Sequence, residues 1–181
     1  MSAGRLIAVV GPSGVGKDSL IAGIVAAAPC IRPVRRSITR AAGLGGEAYE
    51  ALTPEAFAEA ARCGAFCLHW QAHGLLYGIP AGALEEVRGG ATCLANLSRG
   101  ALVQAAQVFP SLTVLKVTAS AEALARRLAL RGRENSSEIA RRLAQADKPL
   151  PAGLTVIEVR NDGPLAATVA SALAALQPVR A

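Results

Sequence analysis

Apolar residues along this chain come in short unbroken runs, and between them lie longer stretches in which apolar positions recur every three or four residues. The runs at 6–10, 91–97, 112–118 and 154–159 are the length of strands and are bounded by turn residues, the pattern of strands buried on both faces. The run at 112–118 is also rich in β-branched residues. Stretches 18–28, 53–63, 80–88, 100–107, 121–130, 136–146 and 165–176 read as helices. Thr53 before Pro54 predicts a capped helix start, since Thr accepts from the free first-turn amides and Pro has no amide to leave unpaired. Asn135 with Glu138 predicts a capping box, and Asn161-Asp162-Gly163 a turn. Residues 31–38 read as a further strand, 41–46 as a glycine-rich break, and 66–70 with 75–77 as short strands about a turn at His73-Gly74. Strand and helix alternate, which predicts an α/β fold whose parallel sheet is covered on both faces. Ligands of such sheets sit at the carboxyl ends of the strands.

Composition narrows the picture. A chain of 181 residues suits one domain, large enough to bury roughly 70% of the surface its unfolded form exposes. Hydrophobic residues make up 52% of it, yet no apolar run approaches the ~18 residues of a membrane span. The first residues carry no cleavable signal pattern, so a cytoplasmic location is expected. Cys30, Cys63, Cys67 and Cys93 are expected to stay reduced. Cys63 and Cys67 lie near His69 and His73, but the spacing matches no zinc pattern, and buried small hydrophobes are the reading preferred.

The net charge is +6, carried in two clusters. Arg32, Arg35, Arg36 and Arg40 form one; Arg126, Arg127, Arg131, Arg133, Arg141 and Arg142 form the other. One Trp, two Tyr and three Phe do not interleave with these arginines as a base-stacking platform requires. Nucleic acid is therefore disfavoured, and a multiply phosphorylated small molecule is the partner expected.

One segment names its chemistry directly. Gly11-Pro12-Ser13-Gly14-Val15-Gly16-Lys17-Asp18, followed by Ser19, succeeds the first apolar run and opens a helix. Its glycines let backbone N–H groups turn onto phosphate oxygens, Lys17 reaches the outer phosphates, and the helix start adds its positive end. A nucleoside triphosphate is expected there. A hydroxyl usually follows the lysine and binds Mg²⁺; Asp18 stands here instead, so the carboxylate is expected to hold the ion or one of its waters. The run at 91–97 carries no carboxylate of the kind that helps place the metal in many such enzymes, which leaves Asp18 as the one acid expected beside it.

Three segments together resemble the guanylate kinase branch of the nucleoside monophosphate kinases. They are the loop, the stretch from Ser37-Ile38-Thr39-Arg40 through Tyr49 to His73-Gly74-Leu75-Leu76-Tyr77-Gly78, and the stretch Arg127-Leu128-Ala129-Leu130-Arg131-Gly132-Arg133-Glu134. The resemblance implies a P-loop NTPase three-layer fold with a five-stranded parallel core sheet. It also implies one domain over 1–181 with an acceptor-binding insertion at about 40–80 and an arginine-rich lid at about 131–137. Two departures concern the base: the family's guanine-reading Glu and Ser/Thr fall at Leu68 and Ile79, and its second phosphate-binding arginine falls at Gly43. Base donors left unpaired cost roughly 1–3 kcal/mol each, so a nucleotide acceptor is disfavoured.

With the stretch Leu68-His69-Trp70-Gln71-Ala72, the run Asn96-Leu97-Ser98-Arg99 and Asn161-Asp162-Gly163 added, the chain is similar to an offshoot of that family, the ribose 1,5-bisphosphate phosphokinases of phosphonate breakdown. That likeness implies transfer of the γ-phosphoryl group of ATP to ribose 1,5-bisphosphate, giving 5-phosphoribosyl 1-diphosphate. It implies Lys17, Arg127 and Arg131 on the nucleotide, Ser37, Arg40, Tyr49 and Tyr77 on the acceptor, and Arg131, Arg133 and Arg142 closing from the lid. Asn96, Ser98 and Arg99, just past a strand end, are candidate ribose or phosphate contacts, and the turn Asn161-Asp162-Gly163 is expected at the edge of the adenine pocket. Arg88, Arg126 and Arg141 read as solvated helix charges, and His73 as a turn residue. A nucleoside monophosphate kinase, a sugar or gluconate kinase and a non-catalytic guanylate-kinase-like interaction module stay open as alternatives, as does monomer against homodimer.

The residue inventory agrees with a phosphate acceptor. An alcohol acceptor wants a carboxylate base, but the aspartates are only Asp18, Asp147 and Asp162. A phosphate, with its second pKa near about 6, is already anionic at neutral pH. Catalysis then rests on aligning two anions and neutralising their repulsion, for which arginine's bidentate, permanently charged fork is suited.

Overall fold

The computed structural model describes residues 4–41, 43, 47–130 and 149–177, without the side chains of 128–130. The helix expected over 136–146, its capping box, the lid, and Arg131, Arg133, Arg141 and Arg142 lie outside them.

Five strands form the core sheet. They are β1 (Arg5–Val10), β2 (Ile31–Pro33), β7 (Thr92–Asn96), β8 (Leu112–Thr118) and β9 (Thr155–Arg160), in the order β2-β7-β1-β8-β9. Every pairing among them is parallel, as expected from the alternation. Central β1 explains why its segment reads as an unbroken apolar run. Leu6, Ala8 and Val10 face α3 (Ala81–Arg88) and α4 (Leu102–Val108), which follows a 3-10 turn at Arg99–Ala101. Ile7 and Val9 face α1 (Lys17–Ala27) and α6 (Leu165–Leu176). Residues 6–10 are each 0% exposed; a fully buried Leu, Ile or Val stabilises the fold by about 1.5–3 kcal/mol, so a polar residue at any of these positions would be strongly destabilising. α5 (Ala121–Leu130) follows β8.

A second sheet, β4-β3-β6-β5, consists of β3 (Ser37–Ile38), β4 (Glu50–Ala51), β5 (Phe66–Ala72) and β6 (Leu75–Pro80), with α2 (Pro54–Arg62) between β4 and β5. The single strand expected over 31–38 is thus two strands in different sheets. Ile31 packs into the core under α1, while Ile38 joins Tyr49 and Tyr77 in a separate small cluster. The chain pairs with β7 as far as Val34, whose amide donates to the Leu94 carbonyl at 2.8 Å, then crosses to β6. β4 is two exposed residues with no pattern to announce it. The turn between β5 and β6 is tight because both His73 (φ 52°) and Gly74 (φ 75°) are left-handed, the conformation that matches strand twist. α2 is capped as expected: Thr53 accepts from the Ala56 amide at 3.1 Å, with Pro54 at its first position.

The cysteines described are free thiols. Among the described residues no group of three or more His, Cys, Asp or Glu could hold a metal, and no helix is long and apolar enough to cross a membrane.

Candidate active site

The loop between β1 and α1 lies at the carboxyl end of the sheet and is shaped by its glycines. Gly14 (φ 83°) and Gly16 (φ 93°) take the left-handed conformation, and a Cβ on Gly11 would stand 2.5 Å from the Val117 carbonyl oxygen of β8. Lys17 folds back over the loop and donates to the carbonyls of Gly11 at 2.9 Å and Pro12 at 3.0 Å. From the far side, buried Asn161 donates through Nδ2 to the Val15 carbonyl at 2.8 Å and accepts from Thr168 Oγ1 at 2.9 Å. Arg127 donates to the carbonyls of Val15 at 3.3 Å and Asn161 at 2.7 Å. Asp162 accepts from the Ser120 amide at 2.7 Å and pairs with Arg160. Beside this brace is a cavity of about 320 Å³ lined by Gly14, Gly16, Ser19, Arg127, Asn161 and Gly163. The loop, Arg127 and the turn at Asn161, distant in sequence, meet here.

On the other side of Lys17 two carboxylates share one amide. Asn96, the last residue of β7, is in register with Val9 of β1. Its Nδ2 lies 3.2 Å from Asp18 Oδ1 and 3.3 Å from Glu47 Oε2. Glu47 in turn holds Arg36 bidentately: Arg36 Nε donates to Oε1 at 2.8 Å, and Nη2 pairs with Oε2. The two side chains are 7% and 15% exposed, an almost buried ion pair. Asp18 is the one acid expected at this point from sequence; Glu47 stands beside it on the same amide. Hard carboxylate oxygens suit Mg²⁺, and Asp18 and Glu47 supply them.

Burial pushes the Lys17 ammonium down from 10.5 to about 8, and Arg36 and Arg99 nearby add to the fall while Asp18 and Glu47 oppose it. Arg99, in the turn after β7, is near enough to act on the Lys17 ammonium.

The residues expected on the acceptor enter two aromatic-cation pairs. The Arg40 guanidinium lies 4.4 Å from the centroid of the Tyr49 ring, and its Nε is buried with no hydrogen-bond partner. Tyr49 donates its hydroxyl to the Ala41 carbonyl. Tyr77 sits with Arg36 rather than Arg40, the guanidinium 5.1 Å from its ring centroid. Trp70 stacks on the same ring, centroids 5.4 Å apart and planes 8° from parallel, and donates Nε1 to Ser98 Oγ at 2.8 Å. Ser98 therefore engages the indole, and the fully buried Ser37 donates its hydroxyl to Glu50 at 2.6 Å. Both expected ligand hydroxyls hold protein partners. Leu68 and Ile79 face each other across β5 and β6, 0% exposed within the main core.

Arg36, Glu47 and Trp70 were not among the residues singled out from sequence for this site. Glu47 had a signal: it is the first acid after Asp18, in a stretch otherwise bearing Arg32, Arg35, Arg36 and Arg40.

None of the protein-family models compared with the chain matches it. A ribose 1,5-bisphosphate phosphokinase PhnN from Ruegeria sp. (strain TM1040) is 51% identical over 180 residues, spanning 98% of this chain and 94% of its own length. Another from Brucella melitensis biotype 2 is 44% identical over 168 residues, spanning 91% of this chain and 88% of its own. Among solved structures, the guanylate kinase from Anaplasma phagocytophilum superposes with a TM-score of 0.62 at 18% identity, over 97% of this chain and 87% of that one, a likeness of fold.

Proposed function

The chain belongs to the ribose 1,5-bisphosphate phosphokinase family, and from that premise we propose that it transfers the γ-phosphoryl group of ATP to the C1 phosphate of ribose 1,5-bisphosphate, a cytoplasmic step of phosphonate breakdown. An anionic oxygen of the C1 phosphate attacks the γ-phosphorus, the bond to the bridging β–γ oxygen breaks, and ADP leaves with the electron pair. The products are ADP and 5-phosphoribosyl 1-diphosphate, and no proton need move. The observation that carries this reading is that, among the described residues, the acids beside Lys17 are already engaged by donors: Asp18 and Glu47 both accept from Asn96, and Glu47 is also paired to Arg36.

Each residue then has a task. Loop amides and Lys17 bind the triphosphate, and Arg127 with Asn161 fixes the loop against its pocket. Mg²⁺, held by Asp18 and Glu47, would neutralise charge on the transferring phosphates. Arg36 and Arg99 stand on the Lys17 side of the acceptor region, suited to the reacting phosphate. Arg40, with its unpartnered Nε over Tyr49, is suited to the second phosphate. Arg131, Arg133 and Arg142 would act from the lid. A nucleotide acceptor fits less well, because Leu68 and Ile79 offer a base nothing to bond.

Phosphorus NMR of a mixture of the protein, ATP, Mg²⁺ and ribose 1,5-bisphosphate tests this. A new diphosphate at C1 appearing as ADP accumulates is the expected result. Transfer to GMP with none to ribose 1,5-bisphosphate would overturn it in favour of a guanylate kinase.

A further inference from the structure

The chain's single tryptophan is one of the bridges between the expected acceptor insertion and the core sheet. Trp70 leaves β5 of the small sheet and reaches Ser98, just past the end of β7 in the core sheet. Its ring lies flat on Tyr77, and the Arg36 guanidinium lies over that ring too. Tyr77 is left 9% exposed. A nucleotide acceptor would need two things from this region: polar partners for the base edges and a surface for the base plane. Leu68 and Ile79 remove the first, and the indole takes the second.

We propose that Trp70 is the specificity-determining wall of the acceptor site, excluding acceptors that carry a base on C1 of the ribose by occupying the stacking surface of Tyr77 and closing the gap to β7. An aromatic side chain covers about 150–250 Å² of surface, an area comparable to that of the base it replaces. Ribose 1,5-bisphosphate, with a phosphate at C1, needs no such surface; it needs the cations around it. The wall also serves those cations, because Tyr77 supports Arg36 and Arg36 is tied through Glu47 to Asn96 beside the metal position. This inference rests on the proposed acceptor. It goes further by naming the residue that rejects the rival class.

The experiment compares wild type, Trp70→Ala and Trp70→Phe, with GMP and IMP as competitive inhibitors against ribose 1,5-bisphosphate. Wild type is expected to turn over ribose 1,5-bisphosphate and to resist both nucleotides at millimolar concentration. Trp70→Ala is expected to bind them at least tenfold more tightly, and Trp70→Phe, which keeps a ring on Tyr77, to change much less. Unchanged nucleotide inhibition in a folded Trp70→Ala would overturn the wall, as would wild-type inhibition at micromolar GMP. Absence of wild-type turnover would instead defeat the proposed acceptor. Should Trp70→Ala not fold, wild-type fluorescence decides, since Trp70 is its only indole. Ribose 1,5-bisphosphate shifting the emission while GMP leaves it unchanged supports the wall; equal shifts at equal concentrations refute it.

Discussion

Replacing Glu47 by Gln tests the central electrostatic arrangement with little change of shape. The carboxylate holds the nearly buried Arg36 with two donors and accepts from Asn96. Glutamine fills the same volume and keeps one oxygen, so the loss is mainly charge. Removing one partner of a buried pair leaves the other uncompensated and costs about 3–5 kcal/mol. Glu47 is 15% exposed, so the lower end applies, about 3 kcal/mol. For a chain of this size 1 kcal/mol moves Tm by roughly 2–4 °C, and the melting temperature is expected to fall by roughly 6–12 °C. A second effect has a fixed sign. Glu47 raises the pKa of Lys17, so its neutralisation lets the ammonium lose its proton at lower pH, and the alkaline fall of nucleotide affinity moves toward neutrality. Circular dichroism melting and a nucleotide titration at several pH values read the two effects separately. Arg36→Gln added to Glu47→Gln removes the stranded charge and is expected to recover part of the stability. A Tm within about 2 °C of wild type, with the pH dependence unmoved, would show that the pair neither stabilises the fold nor acts on Lys17.

Lys17 itself predicts proton uptake. Burial lowers its pKa to about 8, and a bound triphosphate stabilises the charged form, so nucleotide binding at pH 8 should take up about half a proton, with affinity falling as pH rises further. Calorimetry in buffers of different ionisation enthalpy measures it, and heats independent of buffer would contradict the assignment. Asp18→Ala is expected to lose far more ADP-forming activity than Asp18→Ser at fixed Mg²⁺, because serine restores the hydroxyl usual at this position; equal, near wild-type rates for both would dismiss Asp18 as a metal residue. Gly16→Ala forces a side chain into the left-handed region at about 1–2 kcal/mol and sets its Cβ 2.7 Å from Asn161 Nδ2, so nucleotide binding should be lost. Gly82→Ala, in open space within α3, should instead stabilise by about 0.5–1 kcal/mol, and Tm values read both.

Regular structure was legible wherever the side-chain period had one meaning. β8 and α6 occupy the spans 112–118 and 165–176 read from the pattern. The readings diverged where the chain changes partner without changing pattern. Ile31 and Ile38 are equally apolar, and only the tertiary structure sends one to the core sheet and the other to the small sheet. β4 pairs through its backbone with exposed side chains, so no periodicity marks it. In the site, the loop glycines and Lys17 were visible because their chemistry depends on local spacing. Glu47 and Trp70 were not, because each acts on a residue far away in sequence, Glu47 on Asn96 and Trp70 on Ser98.

The carboxylate missing from β7 explains why these distant residues matter. An aspartate at the end of β7 would stand among Asp18, Glu47 and Lys17, adding a third negative charge where two already share one partner. Like charges at such distances disfavour joint ionisation, and one of the three would be driven toward protonation. Asn96 has the same shape and an amide that donates to both acids. The carboxylates grouped about Asn96 therefore come from off the strand, Asp18 from the first turn of α1 and Glu47 from the segment before β4. Glu47 is tied to Arg36, and Arg36 to Tyr77 and its stacked Trp70. Trp70, Tyr77, Arg36, Glu47, Asn96 and Asp18 are therefore parts of one connected arrangement. A change at Trp70 should reach Asp18 through Tyr77, Arg36, Glu47 and Asn96, whereas the brace of Asn161 and Thr168 holds the loop at Val15 and shares no residue with that path.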